Sequence, residues 1–233
     1  MSTASPNATR SAGIILFVVT LLAVAFMAHH PTVGHAPDLG HAIERVGALS
    51  HASAIVHGAL IATMLVTAYC LSMFVALRGA DRPLVRSGAI AYAAGVVLMI
   101  GAALVSGFVV TDVATLMPHD TATDQQVTRQ LLILCGILNQ ACANGAAVAL
   151  SAGILLWSIE LLRPRHGGDR RMELVAGALG LVAGAVPVVA LPAGAIHLDV
   201  HGMMLVVLLW SAWQLAVAGW MIRAGRSAAL AAP

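Results

Sequence analysis

The chain alternates long apolar runs with short polar segments. Six runs are long enough to cross about 30 Å of hydrocarbon, which takes roughly 20 helical residues. We predict membrane-spanning helices at about residues 12–28, 52–77, 87–110, 131–162, 174–191 and 202–222. The pattern predicts an all-α membrane protein with six transmembrane helices, in which residues 1–233 form a single integral membrane domain.

Composition supports this fold class. Hydrophobic residues make up 60% of the chain, charged residues make up 9%, and the mean hydropathy is +0.91. These values lie outside the range of soluble globular domains. The net charge of +2 is too small and too dispersed for a nucleic-acid surface. We expect the lipid bilayer to be the main partner and expect no nucleic acid.

The arginines predict the orientation of the helices. Basic flanks are retained on the cytoplasmic side of a membrane, and all 12 basic residues are arginines. With the N-terminus inside, only Arg45 and Arg129 fall outside. We therefore expect both termini in the cytoplasm. The absence of lysine, with abundant alanine and glycine, indicates a GC-rich bacterial genome and hence a multi-pass protein of the inner membrane.

Two segments near the N-terminus need their own interpretation. Arg10 precedes a short apolar core, and residues 23–25 form an acceptable cleavage site, so helix 1 resembles a secretory signal as well as a retained helix. We expect it to be retained. Residues 38–49 place Leu39, Ile43 and neighbouring apolar residues at helical spacing, which predicts a periplasmic amphipathic segment between helices 1 and 2.

Histidine is concentrated on the side opposite the arginines. Nine of the ten histidines lie on the predicted outer side or at its edge. We interpret His29, His30 and His35 as solvated residues of a periplasmic loop. His51 and His57 are six residues apart, which turns them about 120° away from each other on a helix. Of these two, His57 is the better candidate for a ligand.

A weak internal repeat indicates further candidates. His57, Asn144 and His201 are each followed by glycine and each lie 21 or 22 residues before an arginine, which predicts that they share one depth in the outer leaflet. Asp112 and Asp199 occupy matching positions in the repeat. The two aspartates have an alternative interpretation as helix caps, Asp199 for helix 6 and Asp112 for a short helix that starts one residue later.

His197 and His201 form a possible pair by spacing. Residues four apart share a face of a helix, and that spacing suits a metal ion. Pro192 and Gly194, however, indicate a turn in this region. The pair is therefore weaker than its spacing suggests.

These residues predict a ligand site at the periplasmic face. Imidazole is costly in a membrane unless it is paired, so an inward-facing histidine is a functional candidate. Imidazole and carboxylate suit copper or zinc. Haem b between His57 and His201 on facing helices is the alternative cofactor. The candidate metal ligands are His57, His201, Asp199, Asp112, His197 and His51.

Other functions stay open. The sequence contains no HExxH, GxSxG, Walker or dinucleotide-binding motif, so it assigns no enzyme activity. Pro187 and Pro192 in helix 5 resemble the helix breaks of secondary transporters, which keeps a small proton- or solute-coupled carrier as an alternative. A structural subunit without a cofactor, held in a homo-oligomer or by a membrane-protein partner, is a further alternative.

Overall fold

The computed structural model describes residues 5–31, 36–117, 121–164 and 169–230. The regular secondary structure in these ranges is helical. The helices are α1 (Pro6–Ala28), α2 (Leu39–Ala48), α3 (Ser50–Arg78), α4 (Pro83–Leu104), a π-helical turn (Val105–Val109), α5 (Val110–Leu116), α6 (Ala122–Leu162), α7 (Arg170–Ala190) and α8 (Val200–Leu230).

The number of membrane-spanning helices agrees with the prediction. Within the described residues, six helical stretches are long and apolar enough to cross a membrane, and α4, the π-helical turn and α5 together form one of them, Pro83–Leu116. Large apolar side chains cover the outside of the bundle; Val97, for example, is 70% exposed. Such a surface requires a lipid solvent. The chain is a multi-pass helical membrane protein.

Small residues set how closely the helices pack. α6 runs between α4 and α7, while α1 packs along α8 and α3. At the crossing of α4 and α6, a Cβ atom added to Gly153 would lie 2.8 Å from the carbonyl oxygen of Gly88. Only glycine permits this approach, which increases the van der Waals contact that holds helices together in lipid.

A cap of short elements covers one end of the bundle. The predicted amphipathic segment forms helix α2, which buries Ile43 to 1% exposure. α2 packs on α5 and on the first turns of α6. With its 41 residues, α6 is about 60 Å long, roughly twice the thickness of the hydrocarbon core. Its first turns therefore extend beyond the bilayer and support the cap. We call this the histidine end, because α3 begins here with His57 in its second turn.

The opposite end, which we call the arginine end, contains a buried ion-pair network. Arg78 is 1% exposed, although the sequence indicated only a role in orientation. Its Nη1 donates to Oε1 of Glu173 at 2.5 Å, and its Nη2 donates to the carbonyl oxygen of Glu160 at 3.1 Å. The carboxylate of Glu160 pairs with Arg82. Buried charges of this kind persist only when they are paired and hydrogen-bonded.

An aromatic cluster lies between this network and the middle of the bundle. Trp157 and Trp213 stack with ring centroids 5.9 Å apart, and Phe74 meets both rings edge-on. The ring centroid of Tyr92 lies 5.1 Å from that of Trp157. Phe74, Trp157 and Trp213 are at most 1% exposed. The cluster and the ion pairs fill the arginine half of the bundle with close-packed side chains.

Candidate metal site and central cavity

His57 lies on the inward face of α3 and is 4% exposed. Its Nδ1 is 2.8 Å from the carbonyl oxygen of Ser53, one turn earlier, and 3.3 Å from the hydroxyl of the same residue. A carbonyl oxygen can only accept a hydrogen bond, so the shorter contact assigns the proton of the neutral ring to Nδ1. The Nε2 atom of His57 then carries a lone pair.

His30 approaches this lone pair from the end of α1. Its Nε2 is 3.1 Å from Nε2 of His57, and the ring centroids are 4.8 Å apart at 76°. Its Nδ1 is 3.1 Å from the carbonyl oxygen of Pro31, which again favours a proton on Nδ1. Two neutral rings in these tautomers would direct two lone pairs at each other. A cation between the two nitrogens, a metal ion or a proton, would stabilise this arrangement.

A π-helical turn in the neighbouring span makes room for the His57 ring. Gly107, in the middle of this turn, packs against the imidazole, and a Cβ atom added there would overlap Cβ and Cγ of His57. π-helical turns are uncommon and are frequent at functional sites. Gly58, which follows His57 in sequence, has nothing within 4 Å of such a Cβ atom. The close approach to His57 therefore depends on Gly107 in the neighbouring span and not on Gly58.

The electrostatics of this end favour a neutral His30 and an ionised Asp199. Burial lowers the pKa of His30, and the hydrogen bond to Pro31 opposes this only in part. The N–H group of Gly202, which donates to Oδ1 of Asp199 at 2.8 Å, lowers the pKa of that carboxyl. Asp199 is exposed and carries a negative charge at neutral pH.

The histidine pair lies at one end of a central cavity of about 350 Å³. Side chains from α1, α3, α4, α6 and α8 line the cavity, and most of its wall is apolar. Asp199 lines it at the histidine end, just before α8 begins, and Tyr92 and Gln214 line it deeper in the bundle. Four helices each contribute one methionine to the wall: Met27, Met64, Met99 and Met203.

A smaller cavity of about 120 Å³ lies on the other side of the pair. Val46 and Leu49, from α2 and its C-terminal end, line it together with Thr111. His30 and His57 line both cavities. Together with Ser106, which also lines both cavities, the pair therefore lies between the space beneath α2 and the central cavity.

The structure separates the predicted ligands of the sequence analysis. His57 is buried, and Asp199 lines the same cavity as His57. His51, His197, His201 and Asp112 are exposed. They line neither of the two cavities. Among the described residues, no three histidine, cysteine, aspartate or glutamate side chains group around a possible metal position.

The pair predicted from the repeat is not brought into contact. In the described part of the chain, the ring that meets His57 is that of His30, and no hydrogen bond links His57 to His201. Asn144 is also exposed and bonds to Gln140 on its own helix, at 3.2 Å. The three polar positions of the repeat therefore lie in different surroundings. Whether His201 binds a ligand stays a prediction.

The helix-cap interpretations have different outcomes. Asp199 caps α8, because its carboxylate accepts the N–H group of Gly202. The expectation that Asp112 caps a short helix is wrong. α5 begins at Val110 and continues the π-helical turn, so Asp112 lies within the first turn of a helix that has no free N-terminus. The expected turn at Pro192 and Gly194 is confirmed, since the N–H group of Gly194 donates to the carbonyl oxygen of Leu191. α8 begins only at Val200, so His197 and His201 do not share a helix.

His30 is the residue that the sequence analysis missed. The interpretation of His30 as a solvated loop residue is wrong, because its ring is half-buried against His57. His29 is exposed and bonds to the carbonyl oxygen of Ala25 at 2.8 Å, and His35 lies outside the described residues. The available signal was position: His30 follows directly on a membrane span whose end reaches the same boundary as the start of α3.

The fold and the site define the chain as a six-span helical membrane protein with a histidine pair between two cavities. No protein-family model, curated protein or solved structure matches it. Its function has to follow from the chemistry of the site.

Proposed function

We propose that the protein binds a transition-metal ion, with copper(I) as the best fit, between Nε2 of His30 and Nε2 of His57. The arginine distribution supports an orientation with the histidine end in the periplasm of a bacterium and both termini in the cytoplasm. The ion would then be taken up from the periplasmic side. The cap formed by α2 would cover the site.

This proposal rests on the facing Nε2 atoms of His30 and His57. Two nitrogens that bind one tetrahedral ion at 2.0–2.1 Å lie about 3.3 Å apart. The two Nε2 atoms are 3.1 Å apart, so an ion would need only a small opening of the pair. The Nδ1 contacts to backbone carbonyls are those usually found behind metal-binding histidines, where they fix the tautomer and the ring orientation.

The remaining donors favour copper(I) over zinc. Thioether sulfur is a soft ligand that selects copper(I), whereas zinc sites combine cysteine, histidine and carboxylate. Met27 lies one helical turn before His30, and it lines the cavity together with Met203, which lies one turn into α8. Asp199 supplies a negative charge at the same end of the cavity. Haem b fits this pair less well, because a porphyrin plane would have to separate two rings whose nitrogens are already in contact.

A second candidate is a proton site in a proton-coupled carrier. One proton shared between the two Nε2 atoms would also satisfy the facing lone pairs. The position of the pair between two cavities favours this candidate. The close-packed arginine half argues against it, because it leaves the central cavity closed on that side.

Copper titration of the purified protein tests the proposal. We expect wild type to bind one copper(I) ion per chain in competition with a chromogenic chelator, and the variants His30→Ala and His57→Ala to lose this binding. His29→Ala is the matched control, since His29 is the exposed neighbour of His30, and it should bind as wild type does. Unchanged copper binding in His30→Ala and His57→Ala, or no binding by wild type, would refute the copper site.

A further inference from the structure

The volume of the central cavity exceeds what a metal ion needs. Pockets for small organic molecules begin at about 300 Å³, and this cavity measures about 350 Å³. Its wall is mostly apolar, so water inside it would find few hydrogen-bond partners. An organic occupant would explain the volume.

The cavity is long and has one closed end. On α3 its lining extends from His57 to Thr67, which is ten residues or about 15 Å along the helix axis. The aromatic cluster lies beyond Tyr92 and Trp210, which line the deeper part. A space of this length, with apolar walls along most of it, suits a single extended hydrocarbon chain better than a compact ring system.

The polar groups at the histidine end specify the head of the occupant. In the tautomers that the Nδ1 contacts favour, the two Nε2 atoms can accept hydrogen bonds, and Asp199 is a carboxylate. No arginine is among the described residues that line the cavity, and the chain has no lysine. This end therefore offers acceptors and one negative charge, which match a cationic donor.

We propose that the central cavity binds a lipophilic cation, an alkyl chain that ends in a protonated amine, with the ammonium group at His30, His57 and Asp199. The chain lies along the cavity towards Tyr92 and Trp210. Binding of this cation goes beyond the proposed metal function, because an ammonium group needs neither thioether ligands nor a metal ion. The two ligands would compete for the same histidine nitrogens.

Quenching of tryptophan fluorescence tests this site. Metal-free protein in lipid nanodiscs is titrated with ω-bromododecylamine, which carries a bromine quencher at the chain end and is cationic at neutral pH. We expect saturable quenching that is lost in Trp210→Phe. The alcohol and the carboxylate of the same chain length should bind about tenfold or more weakly, because they lack the positive charge.

Asp199→Asn provides the decisive variant. Asparagine caps a helix as well as aspartate does, so the variant keeps α8 and loses only the charge. We expect about tenfold weaker binding of the amine. Asp112→Asn is the matched control, an exposed aspartate that does not line the cavity, and it should bind as wild type does. Equal quenching by the amine, the alcohol and the carboxylate would show that the probes partition into lipid. Equal weakening in Asp199→Asn and Asp112→Asn would show that the amine responds to general surface charge. Either result overturns the proposal.

Discussion

At the arginine end, Phe74, Trp157 and Trp213 are at most 1% exposed and pack against a network of paired charges. At the histidine end, the same spans enclose about 350 Å³ of free volume and bring two histidine rings into contact. Close packing in one half provides rigidity, and this permits a more open arrangement with a buried histidine pair in the other half. We therefore expect substitutions at the arginine end to change stability, and substitutions at the histidine end to change binding.

The largest expected effect is on stability at the arginine end. Arg78→Ala leaves the buried carboxylate of Glu173 without its closest partner, and breaking such a pair costs about 3–5 kcal/mol. Thermal unfolding in a mild detergent measures this loss. Arg86→Ala is the control, since Arg86 is exposed and should change stability by less than about 0.5 kcal/mol. Similar unfolding temperatures for the two variants would remove the distinction between the halves.

Two glycine substitutions compare the halves directly. An added methyl group at Gly107 would meet the His57 ring, and one at Gly153 would meet Gly88 and Tyr92. Each change should cost about 1–3 kcal/mol through overpacking. Only Gly107→Ala should also weaken copper binding, by about tenfold or more, since it displaces a ligand. The comparison fails if Gly153→Ala weakens copper binding equally.

A smaller effect is expected from pH. Burial lowers the pKa of His30 from 6.5, so below pH 6.5 the unfolded chain binds more protons than the folded metal-free protein. Stability should therefore fall as the pH decreases from 6.5 towards the lowered pKa, and rise with pH through the same window. We expect a loss of about 1 kcal/mol or less, because His30 is only half-buried.

Unfolding curves of wild type and His30→Gln measure this dependence. The variant should lose the contribution of His30 to the pH dependence, while His29→Gln should keep it. The sign distinguishes the two candidate functions. A pair that holds a shared proton would become more stable as the pH falls, which is the opposite of the behaviour expected for a neutral pair.

The smallest effect is expected from the exposed histidines. His201→Ala and His51→Ala remove side chains that line neither cavity. Stability should change by less than about 0.5 kcal/mol, and copper affinity should stay at the wild-type value. Loss of copper binding in His201→Ala would contradict this and would support the ligand pair predicted from the repeat.

The fold could be predicted from the sequence because a lipid bilayer sets a minimum length for each apolar run. Each span needs roughly 20 apolar residues, so the six runs identified the helices. The amphipathic spacing around Ile43 likewise predicted α2. The predicted third span ended at residue 110, whereas the helix continues to Leu116 through the π-helical turn. Hydrophobic periodicity contains no signal for such a turn.

The site could be predicted only in part. His57 was identified because a histidine inside a span is costly unless it is paired. Its partner His30 was not, because a histidine just outside a span has no such cost and resembles a solvated residue. Only the packing of α1 against α3 brings the two rings together. Arg78 was misjudged for a related reason, since its burial depends on Glu173, 95 residues away in the chain.

The tautomers of His30 and His57 test the central claim most directly. Nitrogen NMR of metal-free protein with labelled histidine distinguishes protonated from bare ring nitrogens, and His30→Gln and His57→Gln assign the signals. At mildly alkaline pH we expect both rings to carry the proton on Nδ1 and both Nε2 atoms to be bare. A proton on Nε2 of either ring would mean an ordinary hydrogen bond between the two rings, and the pair would then require no cation.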